Sequence, residues 1–232
     1  MTEPPMTEPP MTEPPMTEPP RARRTVTVVS AGLSQPSSTR LLADKLADAT
    51  RRHLARGGTA AEVTVIELRE LAHDVVDSLL TGFAGPALQQ AIDTVVGADG
   101  LIAVTPIFTA SYSGLFKSFF DIMDVEALAG EPVLIAATGG TARHSLALEH
   151  AIRPLFSYLR AETVPTSVYA ASVDWGAGSG ENQDLGRRIG RAAAELARAI
   201  TRSDRPAHRD GYASAAPFEN LLTGRPTSAR TS

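Results

Sequence analysis

Hydroxyl side chains cluster near the start of the sequence, where a β-branched run at residues 25–30 gives way to an amphipathic segment. Together with the backbone N–H groups at a helix N-terminus, hydroxyls bind a phosphate monoester without adding charge. The alternative is that these residues are ordinary helix N-caps. The predicted phosphate loop contains Ser30, Gly32, Leu33, Ser34, Gln35, Ser37, Ser38 and Thr39.

A second stretch, residues 105–114, combines a proline, two aromatic residues and a glycine. Pro106 fixes the exit from an apolar run, and Gly114 lets another backbone or a ligand approach closely. Phe108 and Tyr112 can pack on the face of a flat heterocycle, and exposed amides can bond its edge. An ordinary loop with core-closing aromatics is the alternative. The candidate binding residues are Thr105, Pro106, Ile107, Phe108, Thr109, Ser111, Tyr112, Ser113 and Gly114.

A third stretch carries two adjacent glycines directly after another apolar run. Adjacent glycines permit close approach of a ligand to the backbone. A plain strand-to-helix turn explains them equally well, and His144 is more often a structural residue than an acid or base. The candidate residues are Thr138, Gly139, Gly140, Thr141 and His144.

Five apolar runs alternate with helical patterns and position these loops. The runs are residues 25–30, 62–67, 101–105, 132–137 and 164–170, and helices are predicted over residues 39–56, 86–97, 112–123, 146–152 and 183–200. This alternation predicts an α/β fold with three layers, a five-stranded parallel sheet in the order 2-1-3-4-5 covered by helices on both faces. In that order strands one, three and four are adjacent, so the three loops form one rim at the carboxyl ends.

The sequence predicts one folded domain between two polar ends. Residues 1–20 are four copies of MTEPP, so residues 1–24 are expected to be a disordered Pro-rich arm. The domain spans residues 25–203. Residues 204–232, rich in Pro, Ser and Arg, are expected to be a largely disordered tail.

Composition excludes several classes of protein. Without cysteine there are no disulfides, thiolate catalysts or Cys-bound metals, and no metal site is predicted. The net charge is −4, and the MTEPP copies hold four of the acids, so the domain is nearly neutral and nucleic acid is not an expected partner. No apolar run is long enough for a membrane span, and the start is not a signal peptide. A cytoplasmic protein is expected.

The three loops together resemble the NAD(P)H-dependent FMN reductase family, which has a flavodoxin-like fold. The similarity covers about residues 25–200 and is most specific over residues 105–121, TPIFTASYSGLFKSFFD. The sequence looks most similar to the actinobacterial branch that partners luciferase-like flavin monooxygenases, and residues 218–222 resemble the tail of that branch. Two departures stand out. Gln35 lies where many relatives carry an arginine, and Phe108 replaces a commoner tyrosine.

The resemblance implies hydride transfer from NADPH or NADH to FMN, with no catalytic side chain required. The reduced flavin would then supply a partner monooxygenase. One alternative is an FMN-containing quinone or azo-compound reductase. Another is a non-enzymatic electron carrier, although such flavodoxins are usually strongly acidic. A serine hydrolase built on Ser111 or Ser113 with His144 lacks the expected Gly-x-Ser-x-Gly elbow.

The resemblance also implies a homodimer or homotetramer. The helix over residues 112–123 is apolar on more than one face, so it is either fully buried or part of an interface. Asp174 and Trp175, which follow the fifth apolar run, are expected to anchor their loop or to reach a neighbouring site.

Overall fold

A mainly parallel β-sheet forms the centre of the protein, built from the apolar runs of the sequence. The computed structural model describes residues 23–176 and 180–203. The strands are β1 (Arg23–Ser30), β2 (Ala60–Glu67), β3 (Gly100–Phe108), β4 (Ser111–Tyr112), β5 (Pro132–Gly139), β6 (Glu162–Thr163) and β7 (Val168–Ala171). Within these ranges the order is β2-β1-β3-β5-β6, with β7 also paired to β5 and β4 paired to β3.

Helices cover both faces of the sheet. They are α1 (Ser38–Arg56), α2 (Ala72–Thr81), α3 (Pro86–Val96), α4 (Gly114–Asp121), α5 (Arg153–Tyr158) and α6 (Gly180–Arg202). Helices α1 and α6 pack against one face through a core that includes Leu42 and Leu196, whereas α2 to α5 cover the other. The predicted three-layer, flavodoxin-like fold is therefore confirmed.

The predicted number of strands was wrong, because seven strands are present in the described ranges. Only residues 168–170 of the fifth apolar run belong to a strand, β7, whereas β6 ends at Thr163, before Pro165, which has no N–H to give to a ladder. Thr166 bonds instead to α6, where its N–H and its hydroxyl each donate to the Glu195 carboxylate at 2.8 Å. A side chain of a helix thus replaces the strand pairing at this point.

Strand β4, which was not predicted, turns the second loop into an antiparallel hairpin with β3. Ile107 pairs with Tyr112 and Phe108 with Ser111. The turn residues Thr109 and Ala110 have φ angles of 47° and 68°, a left-handed conformation that suits a two-residue hairpin turn but costs energy in residues other than glycine. The second loop is therefore a paired hairpin and not an open connection.

Helix predictions agree with the structure to within three residues at each end for α1, α3, α4 and α6, whereas the helix expected over residues 146–152 is displaced. The sequence pattern did not identify α2. The helix expected over residues 112–123 is confined to Gly114–Asp121, because the Ser113 hydroxyl caps it by accepting from Phe116 N at 3.2 Å. The helix expected through Ile152 begins as a π-helical segment, Leu148–Ile152, and continues as α5.

The aromatic residues of α4 are fully buried in the chain's own core. Phe116, Phe119 and Phe120 are each at most 1% exposed, and Phe116 and Phe120 contact Phe156 of α5. Of the two alternatives for this helix, burial is therefore the one observed for these three residues.

The predicted arm reaches two residues too far. Arg23 and Arg24 belong to β1, where they pair with Ala60 and Ala61 of β2, and Arg24 also forms an ion pair with Asp99 at 2.7 Å. The rest of the predicted arm, the predicted tail from residue 204 and residues 218–222 lie outside the described residues.

Candidate functional site

A cleft of about 430 Å³ opens at the carboxyl ends of β1, β3 and β5, where the sheet order brings the three predicted loops together. Parallel sheets bind ligands at this edge. The cleft is lined by Leu33, Ser34, Ser38, Thr39, Pro106, Ile107, Phe108, Thr138, Gly139, Gly140, Ser172 and Trp175. Ten of these residues belong to the predicted loops. Ser172 and Trp175 come from a fourth loop, after β7.

The first loop leads into the N-terminus of α1, and its hydroxyl side chains either cap the helix or line the cleft. Ser37 is the N-cap, whose side chain accepts from Arg40 N at 3.2 Å. Ser38 is exposed on the cleft wall. Because the first turn of a helix has backbone N–H groups without helical partners, those of Ser38 and Thr39 are suited to an anion. The 19-residue helix adds its dipole at the same point.

A buried pair of hydroxyls joins the first loop to the third. Thr39 Oγ1 and Thr138 Oγ1 lie 2.8 Å apart, and both residues are at most 3% exposed. The Thr39 hydroxyl is therefore engaged inside the protein. The pair fixes the floor of the cleft between β1 and β5.

Tyr169 of β7 supports the third loop from below. Its hydroxyl donates to Thr141 O at 2.9 Å. A Cβ at Gly139 would overlap that hydroxyl and lie 3.1 Å from Tyr169 Cζ, whereas one at Gly140 would meet nothing within 4 Å. Burial raises the pKa of Tyr169, and the charge of Asp174 adds to the effect, so the phenol stays protonated and remains a donor.

The fourth loop is a 3₁₀ turn, Ser172–Trp175, held by a buried carboxylate. Asp174 accepts from Ala171 N at 2.7 Å and from Arg188 of α6 at 3.1 Å. Arg188 also donates to the carbonyl of Tyr169. The turn presents Trp175 to the cleft of its own chain. The carboxyl-end rule applied to the fifth apolar run would have identified Ser172.

Twelve predicted residues do not line the cleft: Ser30, Gly32, Gln35, Ser37, Thr105, Thr109, Ser111, Tyr112, Ser113, Gly114, Thr141 and His144. Several of them lie beneath it or join its loops. Ser30 and Thr105 are fully buried. Thr105 Oγ1 accepts from Ser113 N at 3.1 Å, which ties the two ends of the hairpin together. Thr141 and His144 are exposed and lie outside the cleft lining.

The cleft wall is uncharged, whereas an ion-pair network lies behind the first loop. Among the described residues, those that line the cleft include hydroxyl, glycine, aliphatic and aromatic residues only. Behind the loop, Glu67 at the end of β2 accepts from both Arg40 and Arg69. When the amide oxygen of Gln35 is assigned to the side that faces Arg69, it accepts from the two terminal nitrogens of that guanidinium. The ion-pair network therefore contacts the predicted phosphate loop at Gln35.

A larger hollow of about 530 Å³ lies between α4 and α5. Its lining includes Tyr112, the ion pair of Lys117 with Asp121, and the exposed Tyr158. It touches none of the strand ends β1, β5 and β7. Because the smaller cleft gathers four loops at the carboxyl edge of the sheet, we take that cleft as the candidate site. In the described ranges no group of three or more metal-ligating side chains is assembled.

Sequence comparison identifies the family. The profile described as "NADPH-dependent FMN reductase" matches residues 24–176, which include all four loops of the cleft. The chain belongs to this family. A relative from Pseudomonas aeruginosa, named FMN reductase (NADPH), is 40% identical over 174 residues, which is 74% of this chain and 89% of the relative. The predicted family and enzyme class, an NAD(P)H-dependent FMN reductase, are confirmed.

Solved structures of similar fold agree with this FMN reductase assignment. An oxidoreductase from Corynebacterium diphtheriae shares 47% identity and a TM-score of 0.76, with 78% of this chain and 99% of that chain covered. A structure described as NADH:FMN oxidoreductase shares 28% identity and a TM-score of 0.64, covering 83% and 100% of the two chains. Relatives named for NADPH and for NADH are therefore both found. No helix in the described part of the chain has the length and apolar character to span a bilayer.

Proposed function

We propose that FMN binds in the cleft and that this FMN reductase transfers hydride to it from NADPH or NADH. The observation that carries the proposal is the meeting of three loops, predicted as contacts for a phosphate, for a flat heterocycle and for a closely approaching ligand, on one cleft of about 430 Å³. Family membership supports the same activity.

The walls suit the two chemically different ends of FMN. At the N-terminus of α1, Ser34, Ser38 and the first-turn N–H groups would hold the phosphate. Phe108 and Trp175 would lie against the isoalloxazine ring. At Gly140 the backbone is open enough for a ring edge to reach its amides, because no atom lies within 4 Å of the Cβ position.

When bound, FMN supplies the hydride-accepting chemistry, and the chain supplies position and electrostatics. The hairpin turn at Thr109 and Ala110 holds Phe108 in place, and the Asp174–Arg188 pair holds the turn that carries Trp175. The Tyr169 hydroxyl fixes the third loop, whose backbone N–H groups would stabilise negative charge on the reduced ring. The described residues that line the cleft include no acid or base, which fits a direct hydride transfer between nicotinamide and flavin.

An anaerobic titration tests this function. The purified protein, mixed with FMN, receives NADPH or NADH while the flavin absorbance is followed. Rapid bleaching is the expected result, and the faster donor identifies the preferred nicotinamide. FMN binding without bleaching by either donor would contradict the reductase and favour an electron carrier.

We also propose that reduced flavin leaves the protein and supplies a flavin-dependent monooxygenase. The exposure of the cleft supports release, since Leu33 and Phe108 on its wall are about half exposed. Gel filtration of the FMN-loaded protein is expected to separate flavin from protein. Flavin retained through gel filtration and turnover would favour a quinone or azo-compound reductase instead.

We further propose a homodimer or homotetramer. Exposed apolar side chains lie directly beside the loops of the candidate site, among them Leu146 and Val173. A second copy would remove them from water. Light scattering on the purified protein is the test, and a monomeric mass would contradict the proposal. The cytoplasmic location stays a prediction.

A further inference from the structure

The first loop brings no charge of its own to a phosphate. Residues 31–39 contain neither a basic nor an acidic side chain. A phosphate monoester carries a charge of about −1.5 to −2 at neutral pH. Hydroxyls and a helix N-terminus donate hydrogen bonds to it but contribute only partial charges. Any full positive charge near the phosphate would therefore come from a residue outside residues 31–39.

Arg69 reaches the loop from the turn that follows β2. Its Nε donates to Glu67 Oε2 at 2.9 Å, and its two terminal nitrogens, at the other end of the guanidinium, face the side-chain amide of Gln35. Because a guanidinium has only donors, the amide oxygen of Gln35 is assigned to this contact. Glu70 lies at 3.7 Å and is largely exposed. The Arg69 side chain is 21% exposed. Its guanidinium is thus held against the loop at Gln35.

The neighbouring arginine is committed to carboxylates. Arg40 Nε donates to Asp44 at 2.8 Å, and Arg40 also donates to Glu67. The hydrogen bond with Asp44 is the main cause that raises the pKa of Arg40. Arg69 shares Glu67 with Arg40, and the side chain that it contacts in the loop is neutral. Of the two, Arg69 is the cation directed at the loop.

The contact also orients Gln35. An amide that accepts with its oxygen has its NH₂ group on the other branch, so both N–H donors of Gln35 are turned away from the guanidinium. Gln35 is exposed and lies between Ser34 and the N-cap Ser37. The amide is therefore prepared to donate to an anion, and the adjacent positive charge strengthens that donation.

We propose that Arg69 is the cationic partner of the FMN phosphate, acting through Gln35, whose amide it orients. The pair takes the place of a basic residue within the loop. This inference rests on the proposed function, because it presupposes that FMN occupies the cleft. It adds a phosphate-recognition residue from outside the three predicted loops.

Comparison of FMN with riboflavin tests the proposal, because riboflavin has the same ring without the phosphate. The full-length apoprotein is titrated with each flavin, and quenching of flavin fluorescence gives the two dissociation constants. Arg69→Met is expected to raise the FMN constant about tenfold and leave the riboflavin constant within about twofold, the size of a charge-assisted hydrogen bond. Arg69→Lys should retain most of the FMN affinity. Arg51→Met is the control, since Arg51 pairs with Asp48 on the exposed side of α1.

Gln35→Met provides a second variant at an exposed position, in case Arg69→Met does not fold. It leaves the Arg69–Glu67 pair in place and is expected to lose FMN affinity selectively as well. If the ratio of the two dissociation constants is unchanged in both variants, whether neither constant rises or both rise equally, the proposal is overturned while the function stays intact. A wild-type protein that binds neither flavin would overturn the proposed function itself.

Discussion

Two adjacent glycines of the third loop have different structural reasons to be glycine. The Cβ position of Gly139 is occupied by the Tyr169 ring, whereas that of Gly140 is open. A side chain at position 139 would therefore collide with Tyr169 beneath the loop, whereas one at position 140 would extend into open space above it. The sequence presents both as one motif and does not separate these roles.

Gly139→Ala is expected to destabilise the protein by about 1–3 kcal/mol, the usual cost of adding a methyl group to a packed site. Tyr169 has to move, and its hydrogen bond to Thr141 O is then lost. Urea unfolding of the apoprotein measures the change. Gly140→Ala is the matched control, with unfolding free energy close to wild type but weaker FMN binding. Equal stability of the two variants would show that Tyr169 does not constrain the loop.

Several site contacts were beyond sequence reasoning because they join distant residues. Thr39 and Thr138 are 99 positions apart, and their hydroxyl contact depends on the register of β1, β3 and β5. The contact between Gln35 and Arg69 depends in the same way on where β2 ends. Hydroxyls and glycines at strand ends revealed the loops, but not which of these residues face the cleft and which support it.

At the scale of elements, the turn that carries Trp175 depends on one buried carboxylate. Asp174→Ala removes the acceptor of Ala171 N and the partner of Arg188. We expect a loss of about 1–3 kcal/mol, because a buried donor is left unsatisfied, together with weaker FMN binding. Thermal unfolding and flavin titration measure the two effects.

The control for this prediction is Asp184→Ala. Asp184 pairs with Arg187 on the exposed surface of α6, and exposed pairs contribute at most about 1 kcal/mol. If both variants unfold alike, the buried carboxylate does not hold the turn.

The π-helical segment before α5 has a pH-dependent tie to the sheet edge. Glu149 accepts from Arg153 and from Ser167, just before β7. The hydrogen bond from Arg153 is the main cause that lowers the pKa of Glu149, with Ser167 adding to it and burial opposing it. A lowered folded pKa means stability that is present above the pKa of a free glutamate and is lost as the pH falls through the folded value.

Glu149→Gln is therefore expected to be less stable than wild type at neutral pH, with the gap closing as the pH falls below about 4. Urea unfolding at a series of pH values measures it. A gap that is independent of pH would mean that the charge of Glu149 is not involved.

Element boundaries were predictable where one signal dominated and were missed where two competed. Pro165 interrupts the fifth apolar run, yet the β-branched residues around it favour a single strand. Thr166 N donates to Glu195 on α6 and not to a neighbouring strand, so the strand is interrupted there, and this contact is visible only in the folded chain. Helix α2 leaves Leu80 largely exposed, so its apolar residues do not mark one buried face.

For the whole molecule, the cleft connects four loops that are far apart in the chain. A ligand bound there stabilises the folded state by mass action, by about 2.7 kcal/mol at a hundred times its dissociation constant. FMN is therefore expected to raise the melting temperature in a concentration-dependent way, and riboflavin to raise it less at the same concentration. Differential scanning calorimetry tests this, and a melting temperature unaffected by FMN would contradict binding in the cleft.

The chain contains one tryptophan, and Trp175 stands on the wall of the cleft. All indole emission from the protein thus originates at the candidate site. An oxidised flavin absorbs in the range where tryptophan emits, so a flavin against this wall would quench that emission by energy transfer. The native protein therefore carries its own optical reporter, with which arrival and departure of flavin can be timed by stopped flow without any label.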